Sequence, residues 1–346
     1  MKRSVLMVVL SLAGAGAIGS AQGVLSYSLV KEIPIGGAGG GDYLSIDPAA
    51  HRLYVSHSTR VIVIDTLQNT VVGEIKDTQG VHGFAIAADL GRGFSTNGRE
   101  NTVSIVDLKT LRTLQKVPTG TTPDAVLYDP SVHEVYSMNG QGLSATVIDG
   151  RAGTVIATIP LGGKPESAAV DVKTHRVFIN IEDKNTIAVV DTSTHTVVAQ
   201  WPIAPGAEAT GMAFDPQTRR LFVGCRNKMM LMIDSTNGKV LGSVPTGEGV
   251  DATWFDPSTR LVFSSAREGT VTIARAEPAG LTTVEAVKTF PGARTMALDT
   301  TTHRIYLSTA TYLPVPPGAA AVNGQAPRAT PVPESFRVLV FAPREK

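Results

Sequence analysis

Apolar and polar residues alternate along this chain in short runs rich in Val, Ile, Thr and aromatics, broken by Asp-Pro, Asn-Gly and Gly-Gly pairs. Alternation of period two between turn-forming pairs predicts β-strands, and no long stretch carries helical periodicity. The runs recur as a unit. One copy reads LSIDPAAHRLYVSH and then VIVIDTLQNTVVGEI; later copies read AVLYDPSVHEVYSMN with ATVIDGRAGTVIATI, and SAAVDVKTHRVFINI with IAVVDTSTHTVVAQW. Aligned on the residue that ends the first run, the copies fall at Asp47, Ala87, Asp129, Asp171, Asp215, Asp256 and Asp299, spaced 40 to 44 residues apart. Seven positions after each anchor stands an aromatic: Tyr54, Phe94, Tyr136, Phe178, Phe222, Phe263 and Tyr306. A second Asp ends the third run at Asp65, Asp107, Asp149, Asp191 and Asp234, where it can accept hydrogen bonds from the turn beyond.

Seven copies of four short strands predict an all-β, seven-bladed β-propeller with four-stranded antiparallel blades; two ordinary sandwiches would not keep one register through seven units. The seventh copy runs out of chain. Ile305 to Ser308 supplies its second strand and Phe336 to Phe341 its third, while Ser28 to Ile35 resembles the fourth strands of other copies. The N-terminal strand is therefore expected to complete the last blade and close the ring, making residues 22–346 one domain. Ala310 to Glu334, rich in Pro, Ala and Gly, interrupts blade seven and is expected to be a lid or disordered.

Lys2 and Arg3 precede an apolar run, Val5 to Leu12, and then small residues up to Ala21. This is the pattern of a signal peptide, residues 1–21, and implies a periplasmic or secreted protein. Without Lys2 and Arg3 the net charge passes from +1 to −1. Such a balance gives no pull toward nucleic acid or anionic lipid. Cys225 is the only cysteine, so stability rests on packing rather than an internal disulfide.

The D-P-x-x-x-R-L-Y-V pattern at Asp47 to Val55, its echo at Asp215 to Val223, and the V-I-D-T and V-V-D-T strand ends resemble the YncE or YVTN-type propeller repeats. That resemblance covers essentially the whole mature chain. It implies an exported binding or surface protein, with single-stranded DNA binding among the family's activities. Propellers of the lactonase and streptogramin-lyase kind, similar in architecture, imply a divalent metal in the central channel. The tryptophan docking repeats of pyrroloquinoline quinone dehydrogenases are absent.

If the first strand of each blade runs down the channel, the loop entering it and the loop leaving the second strand share one rim. Five residues before each anchor stand Asp42, His82, Asp124, Glu166, Thr210, Asp251 and Arg294. Ten after it stand His57, Asn97, Asn139, Ile181, Cys225, Ala266 and Thr309. Structural positions in a repeat should look alike from copy to copy. The first of these sets instead varies in chemistry while staying polar, which suits a site assembled from one side chain per blade. Crowded carboxylates need Arg294 or a bound cation to stay ionised, and calcium, magnesium, manganese or zinc would suit the donors. Asp42, His82, Asp124 and Glu166 are the candidate metal ligands, and His82, Asp124, Glu166 and Asp251 the candidate acid–base groups. Asp42, Arg294, His57, Asn97 and Asn139 are candidate ligand contacts, with His57 placed to approach His82 from the adjacent blade. Cys225, among methionines, suits a buried thiol, and Gly36 to Gly41 suits close backbone approach at ring closure rather than a phosphate cradle.

Two functions remain open at this point. One is a monomeric exported protein that binds a small molecule, peptide or envelope protein at the rim. The other is a metal-dependent, lactonase-like hydrolase or a lyase in the channel. Nucleic acid is the least expected partner, for want of an aromatic and basic groove.

Overall fold

The computed structural model describes residues 25–315 and 329–345. Residues 1–21, expected from the sequence to be a signal peptide, lie outside the described residues, as does the middle of the Ala310 to Glu334 stretch. No helix among the described residues is long and apolar enough to cross a membrane.

The strands form seven antiparallel four-stranded sheets, the blades of a propeller. Blade one runs from its inner strand Gly41–Asp47 through Arg52–His57 and Arg60–Asp65 to the outer strand Thr70–Ile75. Blades two to six repeat this order from inner strands Val81–Ala87, Pro123–Asp129, Pro165–Asp171, Ala209–Asp215 and Val250–Asp256. Blade seven joins Met296–Asp299, Arg304–Thr309 and Arg337–Glu345 to Leu25–Pro34, which pairs antiparallel with the third strand in a register that sets Ile33 against Val338. Each inner strand touches its two neighbours, and the last touches the first, so the ring is shut by the N-terminal strand as the repeat predicts.

The aromatic column explains how the blades hold together. All seven of its rings are buried. Several lie against the next blade's inner strand: Tyr54 on Phe84 at 4.6 Å between centroids, Phe222 on Phe255 at 4.8 Å, and Phe178 on Phe214 at 5.8 Å. A blade presents two apolar faces, so each aromatic removes water from two sheets at once.

The turns after the inner strands add a second link. The anchor carboxylates accept hydrogen bonds from the backbone beyond, as Asp171 does from Lys173 at 3.1 Å and Asp215 from Gln217 at 3.0 Å. Four residues past each anchor the chain turns left-handed, with φ from 53° to 63° at His51, Gly91, His133, His175, Arg219, Arg260 and His303. From there Arg219 reaches back to Asp171 and Arg260 to Asp215, while His303 Nδ1 lies 2.6 Å from Asp256. In the unit whose anchor is Ala87, His133 meets Asp89 instead, at 3.0 Å. Four of the chain's seven histidines occupy this turn position, and two of them, His133 and His303, link neighbouring blades.

The connection inside blade seven is described at its two ends. Tyr312–Leu313 pairs with Thr330–Pro331, and the Glu334 carboxylate accepts the Gly37 N–H at 2.9 Å. Its base thus lies over the glycine segment at ring closure. A Cβ on Gly41 would stand 2.6 Å from the Phe336 ring, so this position has room only for glycine.

Truncating Phe263, which is fully buried, to Ala should cost roughly 3–5 kcal/mol in urea unfolding. Arg219→Ala strands the buried Asp171 carboxylate and should cost roughly 3 kcal/mol. Arg52→Ala, which opens the more exposed pair with Asp65, should cost under about 1 kcal/mol. Equal losses for the two arginine variants would show that the turn links are not special.

Candidate functional site at the channel mouth

Pairing between the first two strands of a blade slips at the top of the inner strand. The slips fall between Gly41 and Leu44, Val81 and Phe84, Pro123 and Val126, and Pro165 and Ala168, then between Ala209 and Gly211, and Val250 and Ala252. Every slip contains the variable rim residue. A bulge releases a residue from the ladder and re-aims its side chain, which is how Asp42, His82, Asp124, Glu166 and Asp251 leave the blade face and turn to the channel mouth.

There they meet. His82 Nδ1 lies 2.6 Å from Asp42 Oδ2 and 3.6 Å from Asp124 Oδ1. Arg294 Nη2 donates to Asp42 Oδ1 at 3.2 Å, and its other guanidinium nitrogen pairs with Asp251. Lys164 Nζ donates to Glu166 at 2.7 Å and also pairs with Glu182, which in turn pairs with Arg226. Arg226 lies 3.7 Å from Asp251. The result is a ring of alternating charge around the axis, opened only between Asp124 and Glu166.

Burial opposes ionisation of Asp42, but the Arg294 guanidinium and the His82 hydrogen bond outweigh it and hold this carboxyl below its ordinary range. Burial also opposes charge on His82, yet the Asp42 hydrogen bond and the Asp124 carboxylate raise its imidazole to about 9. Asp124 and Glu166 have the opposite problem. Burial pushes both up, with Asp42 adding to it for Asp124 and Asp124 adding to it for Glu166; Lys164 relieves Glu166 only in part and leaves it at about 8. The Asp124 carboxylate accepts no hydrogen bond among the described residues.

Tyr43 of blade one lies beneath the ring and crosses the channel. Its hydroxyl donates to Glu166 in blade four at 3.4 Å and meets Ser167 Oγ at 3.5 Å. On its far side a cavity of about 390 Å³ is lined by apolar side chains such as Leu127, Met212, Phe214 and Trp254.

The structure does not bring the second set of candidates to this mouth. His57 is buried and stacks on Phe336 of blade seven at 4.0 Å, not near His82. Asn97 donates to Thr102 and Ser104, and Asn139 to Ser144 and Thr146, all within their own blades. These three residues are withdrawn as ligand contacts, because their side chains sit inside the sheet packing. Thr210 donates to the Val250 carbonyl at 2.7 Å, a latch between blades five and six, and so brings no charge to the rim. Cys225 is fully buried, and burial pushes its thiol up to about 12.

The column one residue further along holds what the sequence reading missed, namely Glu182, Arg226 and Arg267. A strand alternates faces with period two, so counting ten instead of eleven past the anchor selected the buried face. The charged residues at eleven were the available signal. Lys164 and Tyr43 carried none, since neither position repeats its chemistry.

A closed ring of seven four-stranded blades with polar residues at one mouth defines the class: this is a seven-bladed β-propeller. No protein-family model and no curated protein matches the chain. Among solved structures it is similar to a chain of the Kuenenia stuttgartiensis hydrazine synthase, at 15% identity over 78% of this chain and 92% of that one, with a TM-score of 0.69. It is also similar to a chain of a mitotic checkpoint complex, at 14% identity over 100% of both, with a TM-score of 0.75. At such identities the likeness is one of fold alone.

His82 and Glu166 both hold protons in the folded chain at pH values where their unfolded counterparts, at 6.5 and 4.5, have released them. The stability each contributes is complete below the unfolded value and drains away as pH rises through about 8 for Glu166 and about 9 for His82. Urea unfolding free energy should therefore fall from pH 6.5 to 9, with a shallower fall in His82→Gln. An unchanged slope in that variant would assign the effect to another group.

Proposed function

We propose that this chain is an exported binding protein of the YncE or YVTN type that holds a small ligand or peptide in the charged mouth of its propeller. The observation that carries this reading is convergence: six blades send chemically different side chains to one mouth, whereas the aromatic column keeps one chemistry all round. A fold that needed this position only for packing would have no reason to vary it. The YVTN-like repeat and the signal-peptide pattern in residues 1–21 support the export half of the proposal.

A second reading, metal-dependent hydrolysis of a lactone or ester, has its own support. One ligand atom each from Asp42, His82 and Asp124 lies within 4.8 Å of the others. A divalent cation there would replace the proton shared by His82 and Asp42 and relieve Asp124. It would polarise a carbonyl, and Glu166, poised at about 8, is placed to move a proton.

Calorimetric titration with zinc and manganese, with lactone hydrolysis assayed in parallel, separates the two. Stoichiometric metal that weakens more than tenfold in Asp124→Asn and His82→Gln, together with hydrolysis lost on chelation, would favour the enzyme. The binding reading expects neither metal dependence nor turnover. Metal binding that both variants leave unchanged would count against any role for this rim cluster.

A further inference from the structure

The mouth is not uniform around the ring. Blades five to seven bring three guanidiniums, Arg226, Arg267 and Arg294, against the single carboxylate Asp251, whereas in blades one to four the carboxylates Asp42, Asp124, Glu166 and Glu182 outnumber the cations His82 and Lys164. Arg226 and Arg267 follow the second strands of adjacent blades at equivalent positions, which sets two guanidiniums side by side. Arg226 and Arg294 are matched by Glu182, Asp251 and Asp42. Arg267 is not. Among the described residues its side chain makes no ion pair and no hydrogen bond, although Tyr312 narrows the same part of the mouth, its ring lying against Gly292.

The opposite pole is left wanting in the same way. Asp124 has only the 3.6 Å approach of His82, whose proton is already held by Asp42 at 2.6 Å. An unmatched carboxylate in blade three thus faces an unmatched guanidinium in blade six, nearly across the ring. The Asp124 side chain is only 21 % exposed, so its charge is stabilised by a partner of opposite sign, while Arg267 is exposed and free to meet a ligand; one molecule carrying both signs would engage both.

We infer that the mouth takes a small zwitterion of the α-amino acid or dipeptide class, its ammonium toward Asp124 and its carboxylate toward Arg267. Tyr43 closes the channel below this space, its hydroxyl reaching Glu166 of blade four at 3.4 Å. The Tyr43 ring also offers the ammonium an aromatic floor. This inference rests on the binding reading above and specifies its ligand.

The test is calorimetric titration of the full chain at pH 7 and low salt with four probes: alanine, dialanine, N-acetylalanine and alaninamide. Alanine or dialanine should bind at least tenfold more tightly than N-acetylalanine, which lacks the ammonium, and than alaninamide, which lacks the carboxylate. Arg267→Ala and Asp124→Asn should each weaken the zwitterion at least tenfold while leaving the circular dichroism spectrum and melting midpoint near those of the parent. Arg267→Ala removes an exposed side chain without a partner, so folding is not at stake in that arm. N-acetylalanine binding as tightly as alanine would overturn the inference in favour of a simple anion site. Silence from all four probes would overturn the zwitterion; if metal is silent too, the binding reading stands without this ligand, whereas stoichiometric metal that depends on Asp124 and His82 would overturn the binding reading as well and favour the enzyme.

Discussion

The fold depends on one repeated contact, a buried aromatic on the second strand of each blade set against the inner strand of the next. A single four-stranded sheet has two apolar faces and cannot hide both, so the blades are stable only as a closed circle. Buried hydroxyls and amides tighten the same seams. Asn180 donates to the Gly211 carbonyl, Thr210 to that of Val250, and Thr295 to that of Asp42. The carbonyls involved lie in or beside the inner-strand bulges, so the segments that aim the rim side chains also carry acceptors that join neighbouring blades.

This division of labour explains why the two ends of the channel differ. On the anchor side the Asp of one blade meets the Arg or His of the next, a motif that can recur because each link involves only two neighbours. At the mouth every side chain faces all the others across the axis. Seven identical carboxylates there would repel, and seven identical cations would do the same. Charge must alternate, and the repeat has to break its own symmetry. Departures from the repeat are therefore concentrated where the blades look at one another rather than at their neighbours.

Much of the fold was legible because its determinants are periodic. The anchors, the aromatics and the fourth-strand likeness of residues 28–35 each recur at a fixed distance, and each corresponds to a contact in the structure. The site was legible in half. Asp42, His82, Asp124, Glu166, Asp251 and Arg294 do meet at one mouth, since their shared register places them on one rim. His57, Asn97 and Asn139 do not, because a step of one residue along a strand exchanges the exposed face for the buried one. Lys164 and Tyr43 were invisible for a different reason: each acts once, Lys164 by bridging two carboxylates of its own blade and Tyr43 by crossing to blade four, and no column records either.

The closing strand has a consequence for the order of events. Residues 25–34 are made before every blade yet find their strand partners in residues 337–345, which follow all the other blades. Six blades can assemble from local hairpins as the polypeptide lengthens, but the seventh must wait for both extremities. Until then blade one lacks a neighbour on one flank and its apolar face stays wet. Closure thus waits on residues 337–345, and a ribosome that stops short of them leaves an open fan whose edges remain recognisable to proteases and chaperones.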